Sequence, residues 1–546
     1  MATLSLRGDR SFWRAPIPLE LELLLPPSPP LLRGDRSFWR APVPLELELL
    51  LPPSPPVSRG RSATGLWKTR TVSSLVSALE EIVGAENVFT TLESLEQFAS
   101  DATFIERVPD LAVAPADTTE TAAVVGELYS RGVAVTCRGA GTGLSGGAVA
   151  VEGGAVLLLH RLDGIEVDQK SMSATVGAGA TTASLMAEAN RHGLSYPPDP
   201  GSLDTCTIGG NIATNAGGPS CLKYGVTSDY VMGLVIVLAG GRVMRLGGKS
   251  RKRSAGYRLA QLFVGSEGTL GVITEATLRL VPAPSYRSVA LAAFASIEAA
   301  ASGVAALLGS GYLPAALELL DASSIAYVHD LLPPEFPVGA EAILLIEQDG
   351  GDVRAVDDEL SKVQSVLVAE GAYSFVSGVS PASRELLWRA RRSIGVRLLE
   401  RRRFRVPEDI AVPIDRIPEM VKRIKDITDA NGVSVAVFGH AGDGNLHPSL
   451  IFDDRNPDTL RRIGRAAMLI LEAAIELGGT VSAEHGLGAA KRGFAEIELG
   501  EDAVGYMRGI KEIFDPKGLF NPGKVFPPSG VSPGEDFLEA LPGWLH

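Results

Sequence analysis

Two short glycine-flanked segments near the carboxyl end of the chain concentrate residues that bind metals or move protons. Residues 438–447 read FGHAGDGNLH, residues 482–492 read SAEHGLGAAKR, and together they hold three of the seven histidines. The Gly-Asp-Gly-Asn turn between His440 and His447 can bring both imidazoles to one point, where Glu484 would add an oxygen ligand. Two histidines and one carboxylate leave coordination positions open, as catalytic metal sites do. The residues therefore predict a divalent metal at this cluster, although two histidines alone are more often structural.

A glycine-rich loop earlier in the chain has the composition of an anion-binding turn. Residues 138–147 read RGAGTGLSGG and follow the predicted strand VAVTC. Successive peptide units with small side chains can turn their N–H groups inward and bind a pyrophosphate. A Rossmann fingerprint needs a helix directly after the glycines, but the strand-like GGAVAVEGGAVLLL follows here. A glycine-rich hairpin without a ligand is the alternative.

Two further glycine segments make the flavin interpretation specific. Residues 196–218 read YPPDPGSLDTCTIGGNIATNAGG and residues 265–273 read GSEGTLGVI. In this order and spacing, the three segments resemble the FAD-binding domain of the vanillyl-alcohol oxidase/PCMH flavoprotein superfamily over residues 107–283. The resemblance implies FAD contacts from Arg138, Gly139, Ala140, Gly141, Thr142, Gly143, Leu144, Ser145, Gly146, Gly147, Pro200, Gly201, Ser202, Thr207, Gly209, Gly210, Ala213, Asn215 and Ile273.

The mode of flavin attachment follows from the residues near the first loop. Some members of this superfamily link the flavin to a His or Cys there. The loop has no His, and Cys137 is expected to point into the core. We therefore predict a non-covalent FAD.

The carboxyl-terminal half resembles a second family. Residues 285–526, which end in FDPKGLFNPGKVF, are similar to the C-terminal domain of FAD-linked oxidases, a group acting on D-lactate, glycolate or D-2-hydroxyglutarate. The resemblance implies zinc, manganese or a similar ion at the cluster, and it makes His485 the general base. It also places Asn445 against the substrate and Asn521 against the FAD.

A basic helix supplies the predicted contact to the substrate carboxylate. The segment LLWRARRSIG resembles the Leu-Trp-x-x-Arg helix of the group, which makes Arg391 the bidentate partner of that carboxylate. Arg389, Arg392 and Arg397 lie nearby, so a solvated basic face is the alternative.

The substrate depends on one further basic residue. Enzymes for 2-hydroxyglutarate carry such a residue before the strand that here reads EDIAVPI, where Arg403 or Arg405 could serve. The register is open, so D-lactate or glycolate is the expected substrate and D-2-hydroxyglutarate the alternative. The expected electron acceptor is a quinone, a cytochrome or a flavoprotein. The sequence is also compatible with an oxidase that uses O₂, with a subunit of a multi-subunit glycolate-oxidising complex, and with a binding protein that acts through its proline-rich repeats.

The predicted organisation is α+β, with four parts. Residues 1–66 hold a duplicated proline-rich unit and are expected to be disordered. A two-subdomain PCMH-type FAD-binding domain covers 67–283, beginning with a helix capped by Ser73 or Ser74, and a Thr caps the helix in TTETAAVVGELYSRG. A ferredoxin-like α+β substrate and metal domain covers 284–526 because two strand-helix-strand units follow each other. A tail covers 527–546.

Composition excludes some function classes. The formal net charge of −13 argues against nucleic-acid binding. Three cysteines fit no disulfide framework and favour a reducing compartment. A membrane span is not expected, since there is no run of about 18 apolar residues, although peripheral contact remains open. The expected location is cytoplasmic or peripheral to the inner membrane in a bacterium, or mitochondrial in a eukaryote, and a homodimer is the expected oligomer.

Overall fold

The computed structural model describes most of the chain beyond the amino-terminal repeats. The described residues are 70–528, apart from Phe104, 333–335, Val338, 378–380, 402–403 and Arg455. All of them belong to Ala63–His546, one of the two units into which the chain divides. The predicted extension over 1–66, Arg403 and the predicted tail beyond residue 528 lie outside the described residues.

The amino-terminal part alternates short strands with helices and long glycine turns. Its helices are α1 (Arg70–Val83), α2 (Leu92–Glu96), α3 (Thr118–Ser130), α4 (Thr182–Arg191), α5 (Ile208–Thr214), α6 (Cys221–Tyr224) and α7 (Leu259–Phe263). Its strands are β1 (Val88–Phe89), β2 (Leu111–Val113), β3 (Val135–Arg138), β4 (Ala155–Leu158), β5 (Ile165–Asp168), β6 (Ser173–Gly177), β7 (Leu194–Ser195), β8 (Val231–Val237), β9 (Val243–Gly247), β10 (Val272–Arg279) and β11 (Val281–Pro282).

Two sheets divide this part into the two predicted subdomains. The first has the order β1-β2-β4-β3, with β2 and β3 both parallel to β4. The second is antiparallel, with the order β5-β6-β10-β8-β9. The first glycine loop joins β3 to β4 without an intervening helix, which agrees with the argument against a Rossmann fingerprint.

Two predicted helix starts are wrong. The helix α3 is capped by Asp117, not by a Thr, because this carboxylate accepts the amide hydrogens of both Thr119 and Glu120. The helix α1 begins at Arg70, so Ser73 and Ser74 lie inside it and not at its cap. In both cases the hydrophobic pattern located the helix but did not specify its first residue.

The carboxyl-terminal part contains longer elements. Its strands are β12 (Tyr286–Phe294), β13 (Ala316–Asp321), β14 (Ala342–Gly350), β15 (Ser374–Ser377), β16 (Phe404–Pro407), β17 (Ile410–Ala411), β18 (Ser434–Gly439) and β19 (Asn445–Phe452). Its helices are α8 (Ile297–Gly309), α9 (Ala322–Val328), α10 (Val353–Ala369), α11 (Pro381–Arg401), α12 (Ile417–Asn431), α13 (Pro457–Glu476), α14 (Ala495–Leu499) and α15 (Glu501–Phe514).

The predicted ferredoxin-like unit forms one half of a larger sheet. The strands β15-β12-β14-β13 lie in this order and are antiparallel, with α8 and α10 as the two helical connections. The sheet continues through β18, β19 and β16, and β17, which pairs with β19, is its eighth strand. Together with the two amino-terminal subdomains, this agrees with the predicted α+β class.

Both faces of the eight-stranded sheet are covered. Along β12, Ala292 and Phe294 face a core with α8, α10, α12 and α13, whereas Leu291 and Ala293 face a core with α9 and α11. This alternation follows from the two-residue period of a strand. The α11 side is the one that carries the polar residues described below. Among the described residues, every helix is too short or too polar to cross a bilayer.

Candidate functional site

One cavity of about 830 Å³ runs between the glycine segments and the eight-stranded sheet. The predicted flavin residues lining it are Gly139, Ala140, Gly141, Thr142, Gly143, Leu144, Ser145, Gly147, Pro200, Gly201, Ser202, Thr207, Gly209, Gly210, Ala213 and Ile273. The same cavity is lined by His440, His447, Glu484, His485 and Arg391. Its volume lies within the range of ligand and cofactor pockets.

The glycines allow the chain segments around the cavity to approach each other closely. A Cβ on Gly139 would collide with the side-chain oxygen of Thr207. A Cβ on Gly209 would lie 2.7 Å from the Cβ of Ala178. Glycine at these two positions thus lets the cavity-lining segments, which form the cradle, pack against each other with their backbones exposed to the cavity.

Four predicted flavin residues are not among the cavity-lining residues: Arg138, Gly146, Asn215 and Asn521. Arg138 approaches the carbonyl oxygen of Ala148 at 3.5 Å. Asn215 ends α5 in the left-handed conformation. Asn521 donates to the carbonyl oxygens of Gly147 and Glu267 at 3.0 and 2.7 Å. Arg138, Asn215 and Asn521 thus make contacts that shape the loops, and their direct contact with FAD stays a prediction.

Cys137 both contacts the core of the first subdomain and lines the cavity. Its contact with the core agrees with the expectation from the sequence, and the residue borders the cavity as well. Burial raises the pKa of its thiol to about 12. The thiol is then protonated at neutral pH and is a poor nucleophile, which supports the prediction of a non-covalent flavin.

Neighbouring strands place the polar residues on one face of the sheet. The strands β13, β18 and β19 are adjacent, and in their register Leu319 pairs with Gly439 and Phe438 with His447. Because side chains alternate along a strand, Glu318 on β13 and His440 directly after β18 point to the side of α11. The pattern of the strands thus brings together residues that are far apart in sequence.

The predicted metal ligands converge on one carboxylate oxygen. Oε1 of Glu484 lies 3.5 Å from Nε2 of His440 and 3.4 Å from Nε2 of His447. Two ligands bound to one Zn²⁺ at tetrahedral angles are separated by about 3.4 Å, so each of these two separations suits a pair of ligands on one ion. The Nε2 atom of His485 lies 3.7 Å from the same oxygen, close enough to share the site.

A second grouping of possible ligands contains Asp409, His447, Glu484 and His485. Asp409 faces the Nδ1 atoms of His447 and His485, at 3.7 and 3.8 Å, and not their Nε2 atoms. Its carboxylate also accepts the amide hydrogens of Glu484 and His485, each at 2.9 Å. Because its oxygens face away from the point where the other ligands meet, we assign Asp409 to the support of the ligands and not to the ion.

Glu318 holds two of the site residues at once. One carboxylate oxygen lies 2.6 Å from Nδ1 of His440, and the other lies 2.6 Å from Nε of Arg391. Burial opposes a charged His440, but Glu318 and Glu484 together raise the pKa of His440 well above its usual value. With Nδ1–H donated to Glu318, Nε2 of His440 is the nitrogen that faces the site.

Two of the three predicted ligands, Glu484 and His447, have protonation states that suit a cation. Burial favours a neutral Glu484, but His440 and, to a smaller extent, His447 and His485 lower the pKa of its carboxyl group to about 2. Burial lowers the pKa of His447 to about 3, so its imidazole is neutral at physiological pH. An ionised carboxylate and a neutral imidazole are the forms that bind a metal.

Arg391 is buried and directed at the cavity. Its guanidinium carbon lies 4.9 Å from the ring centroid of Phe438, and its buried Nη2 atom has no hydrogen-bond partner among the described residues. A buried guanidinium nitrogen without an acceptor is costly. A ligand oxygen would therefore be favoured at this point.

Arg405 also lines the cavity, whereas Asn445 does not. Nη1 of Arg405 lies 2.8 Å from the position that a Cβ on Gly395 would take. Burial lowers the pKa of Arg405 to about 10. Asn445 donates to a carboxylate oxygen of Asp409 at 2.8 Å and to the carbonyl oxygen of Ile410 at 2.9 Å, so its predicted contact with substrate stays a prediction.

Sequence reasoning missed four residues of the site: Glu318, Asp409, Ser449 and Glu267. The signal for Glu318 was an acid inside the apolar strand ALELLD, since a buried acid needs partners. Ser449 follows His447 by two residues on β19, and its buried hydroxyl has no hydrogen-bond partner among the described residues. It was missed because β19 itself was not predicted.

Comparison with known protein families agrees with this geometry. Residues 109–247 match the model of an FAD binding domain, and residues 283–525 match the model of the C-terminal domain of FAD linked oxidases. The glycolate oxidase subunit GlcD of Bacillus subtilis is 40% identical over 450 residues, which cover 82% of this chain and 96% of that protein. The chain belongs to the FAD-linked oxidases.

Other members of the family and more distant structures are also similar. A D-lactate dehydrogenase of Archaeoglobus fulgidus is 38% identical over 417 residues, covering 76% of this chain and 90% of that one. Among solved structures, p-cresol methylhydroxylase with bound substrate superposes with a TM-score of 0.70 at 16% identity, over 85% of this chain and 98% of that chain. At that identity the likeness concerns the fold alone.

Proposed function

We propose that this FAD-linked oxidase oxidises a small 2-hydroxy acid, glycolate or D-lactate, to the 2-oxo acid. The observation that carries the proposal is that one cavity is lined by the glycine segments and by the cluster of His440, His447, Glu484 and His485. A flavin in the glycine cradle and an acid at the cluster would therefore face each other. The names of the relatives in Bacillus subtilis and Archaeoglobus fulgidus support the same substrate class.

Different residues of the cavity would bind the substrate and remove its proton. Arg391 would bind the substrate carboxylate through its free Nη2, while Glu318 holds the guanidinium from behind. His485 would take the hydroxyl proton as general base. As the carbonyl forms, the Cα–H bond would break and its hydride would need an acceptor on the side of the cavity lined by the glycine segments.

FAD and a divalent ion would supply the redox chemistry and the positive charge that the side chains lack. FAD, held by the three glycine segments, would supply the hydride acceptor, and its two electrons would go on to a quinone, a cytochrome or a flavoprotein. A divalent ion, zinc or manganese, would be held by His440, His447 and Glu484 and would stabilise the negative charge that develops on the hydroxyl oxygen.

Replacement of His485 tests the proposal. We expect His485→Ala to keep its bound FAD but to lose turnover with glycolate and D-lactate by about 10²- to 10⁴-fold, the usual contribution of a general base. The measurement is flavin reduction at 450 nm and turnover with an artificial acceptor. His192→Ala is the control because His192 lies on the surface at the end of α4. Full activity in His485→Ala would contradict the assignment of the base.

Arg405 favours a second candidate, a dicarboxylic 2-hydroxy acid such as 2-hydroxyglutarate. Its guanidinium packs on Gly395, four residues after Arg391 and on the same face of α11. Both cations line the cavity, and Arg405 lies against α11 one helical turn after the position of Arg391. Among the described residues Arg405 makes no ion pair, so its charge is available to a second carboxylate.

A matched pair of arginine variants separates the two substrates. If the substrate is a dicarboxylate, Arg405→Gln should lower kcat/KM for 2-hydroxyglutarate by about 10- to 100-fold and leave glycolate unchanged, since charged hydrogen bonds contribute about 1.5–3 kcal/mol. Arg397→Gln is the control because Arg397 lies on the same helix and pairs with Asp330 outside the cavity. Equal effects on both acids would eliminate the dicarboxylate.

A further inference from the structure

Glu267 lies in the third glycine segment, and both of its carboxylate oxygens accept hydrogen bonds from the segment that carries His485. Oε1 accepts the amide hydrogen of Leu487 and Oε2 accepts that of Gly488, each at 2.8 Å. The side chain is buried, and these two amides follow His485 by only two and three residues. A bidentate contact of this kind fixes both the position and the orientation of the backbone next to the predicted base.

The backbone of Glu267 belongs to the flavin side of the cavity. Its N–H donates to the carbonyl oxygen of Ala213 at 2.8 Å, and its carbonyl oxygen accepts from Asn521 at 2.7 Å. Its φ of 51° is in the left-handed region, which is unfavourable for a residue other than glycine. Such a conformation persists only when its surroundings hold it in place. The hydrogen bonds of the Glu267 backbone and those of its carboxylate therefore both stabilise this conformation.

A second tie starts from the first glycine loop. The hydroxyl of Ser145 donates to the carbonyl oxygen of His485 at 3.0 Å, and the carbonyl oxygen of Ser145 accepts from Ala489 and Ala490 at 2.9 and 3.1 Å. Gly486 adopts a φ of 82°, and a Cβ there would lie 2.8 Å from the carboxyl carbon of Glu267. The segment from His485 to Ala490 is therefore fitted against two of the three glycine segments.

We propose that Glu267 is a positioning residue that couples occupancy of the flavin site to the placement of His485. FAD in the cradle orders the glycine segments, and the ordered segments offer Leu487 and Gly488 their acceptor. Without that acceptor two buried amides lose their hydrogen bonds, and the segment carrying His485 loosens. This role rests on the proposed function, because it gives His485 the part of the base.

Hydrogen exchange of the holoenzyme tests the hydrogen bonds between Glu267 and the amides of Leu487 and Gly488 without reference to activity. In Glu267→Gln the side-chain amide keeps one acceptor oxygen and presents its NH₂ group to the other backbone N–H. We expect the amide of Leu487 or Gly488 that faces the NH₂ group to exchange at least about tenfold faster, since a buried donor left without its acceptor costs about 1–3 kcal/mol. Glu120→Gln is the control because Glu120 accepts the amide of Ala116 away from the cavity. Unchanged exchange at residues 487–488 in Glu267→Gln would overturn the proposal.

Kinetics then test the consequence for catalysis. With FAD bound, Glu267→Gln should lower kcat by about 10- to 100-fold, as a misplaced catalytic group does, with KM changed by less than about threefold. Glu267→Asp keeps the charge but is one methylene shorter, so it should behave like Glu267→Gln. An impaired Gln variant beside a fully active Asp variant would assign the effect to charge near the flavin and overturn the positioning role.

Two further outcomes remain informative. If Glu267→Gln does not retain FAD, hydrogen exchange is compared instead between the wild-type protein with FAD and the wild-type protein without it. Equal exchange of the amides of residues 487–488 in these two forms would overturn the coupling. If His485→Ala keeps full turnover, the proposed function fails, whereas the exchange comparison still decides whether Glu267 holds the segment.

Discussion

A single buried carboxylate, that of Glu318, contacts both the predicted metal ligand His440 and the predicted carboxylate-binding Arg391. Each contact measures 2.6 Å and uses a different oxygen. Burying a charge is costly unless it is paired, and here the pairing orients one group towards a cation and another towards an anion. The two ends of a 2-hydroxy acid would thus be positioned by one residue that contacts neither of them.

Removing the charge of Glu318 should affect both ends of the substrate. We expect Glu318→Gln to weaken Zn²⁺ or Mn²⁺ binding by about 10- to 100-fold, as loss of a carboxylate behind a ligand histidine does, and to raise KM for the acid. Metal titration by calorimetry and steady-state kinetics measure the two effects.

The same sheet offers a control for Glu318. Glu347 is also a buried carboxylate, pairs with Ala316 of β13 in the register, and accepts from Trp388 of α11, but it does not line the cavity. Glu347→Gln should lower stability without changing metal affinity. If both variants lose metal affinity equally, Glu318 acts only through the stability of the sheet.

The packing of helix α5 against Ala178 fixes the position of this helix at the predicted flavin site. Gly209, in its first turn, faces Ala178, and a Cβ there would also lie 3.0 Å from the carbonyl oxygen of that residue. We expect Gly209→Ala to displace α5 and weaken FAD binding by at least about tenfold, because close backbone packing has no room for a methyl group. Absorbance of bound flavin after gel filtration measures the loss.

A second helical glycine serves as a control, because it separates the loss of close packing in Gly209→Ala from the general effect of Gly→Ala on helix propensity. Gly309 ends α8, and a Cβ there would meet no atom within 4 Å. Gly309→Ala should leave FAD binding intact. Flavin retention in Gly209→Ala equal to that in Gly309→Ala would show that the cradle tolerates a methyl group at position 209.

The sequence patterns predicted elements better than they predicted contacts between them. Amphipathic helices such as α10 and α13 and apolar strands such as β8 and β12 have a clear period, so their type could be read directly. The strand β19 was missed because Pro448 and the glycine turn before it disguise its pattern. Helix caps were missed because Asp and Thr both suit the position.

The candidate site was predictable to the extent that its residues lie in short motifs. His440, His447, Glu484 and His485 have recognisable neighbours in sequence. Glu318 and Asp409 reach the same cluster only through the strand order, which pairs β13 with β18 and places β17 beside β19. Contacts of this kind depend on long-range topology, and a single sequence does not specify it.

At the scale of the whole molecule, the cavity lies where the amino-terminal and carboxyl-terminal parts of the described chain meet. The lining residues run from Asp101 to His485 and include both parts. Glu267 and Ser145 tie the two parts to each other through the segment that carries His485. A bound cofactor would therefore contact both parts, and folding of each should be linked to its presence.

Removal of FAD should destabilise both parts together. A ligand that binds only the folded state at about 100 times its Kd adds about 2.7 kcal/mol to the free energy of unfolding. Calorimetry of the holoenzyme should show one transition at a higher Tm than the FAD-depleted protein, and excess FAD should restore it. Two transitions, of which FAD shifts only one, would mean that the cofactor contacts a single part, and the shared cavity would then not be the flavin site.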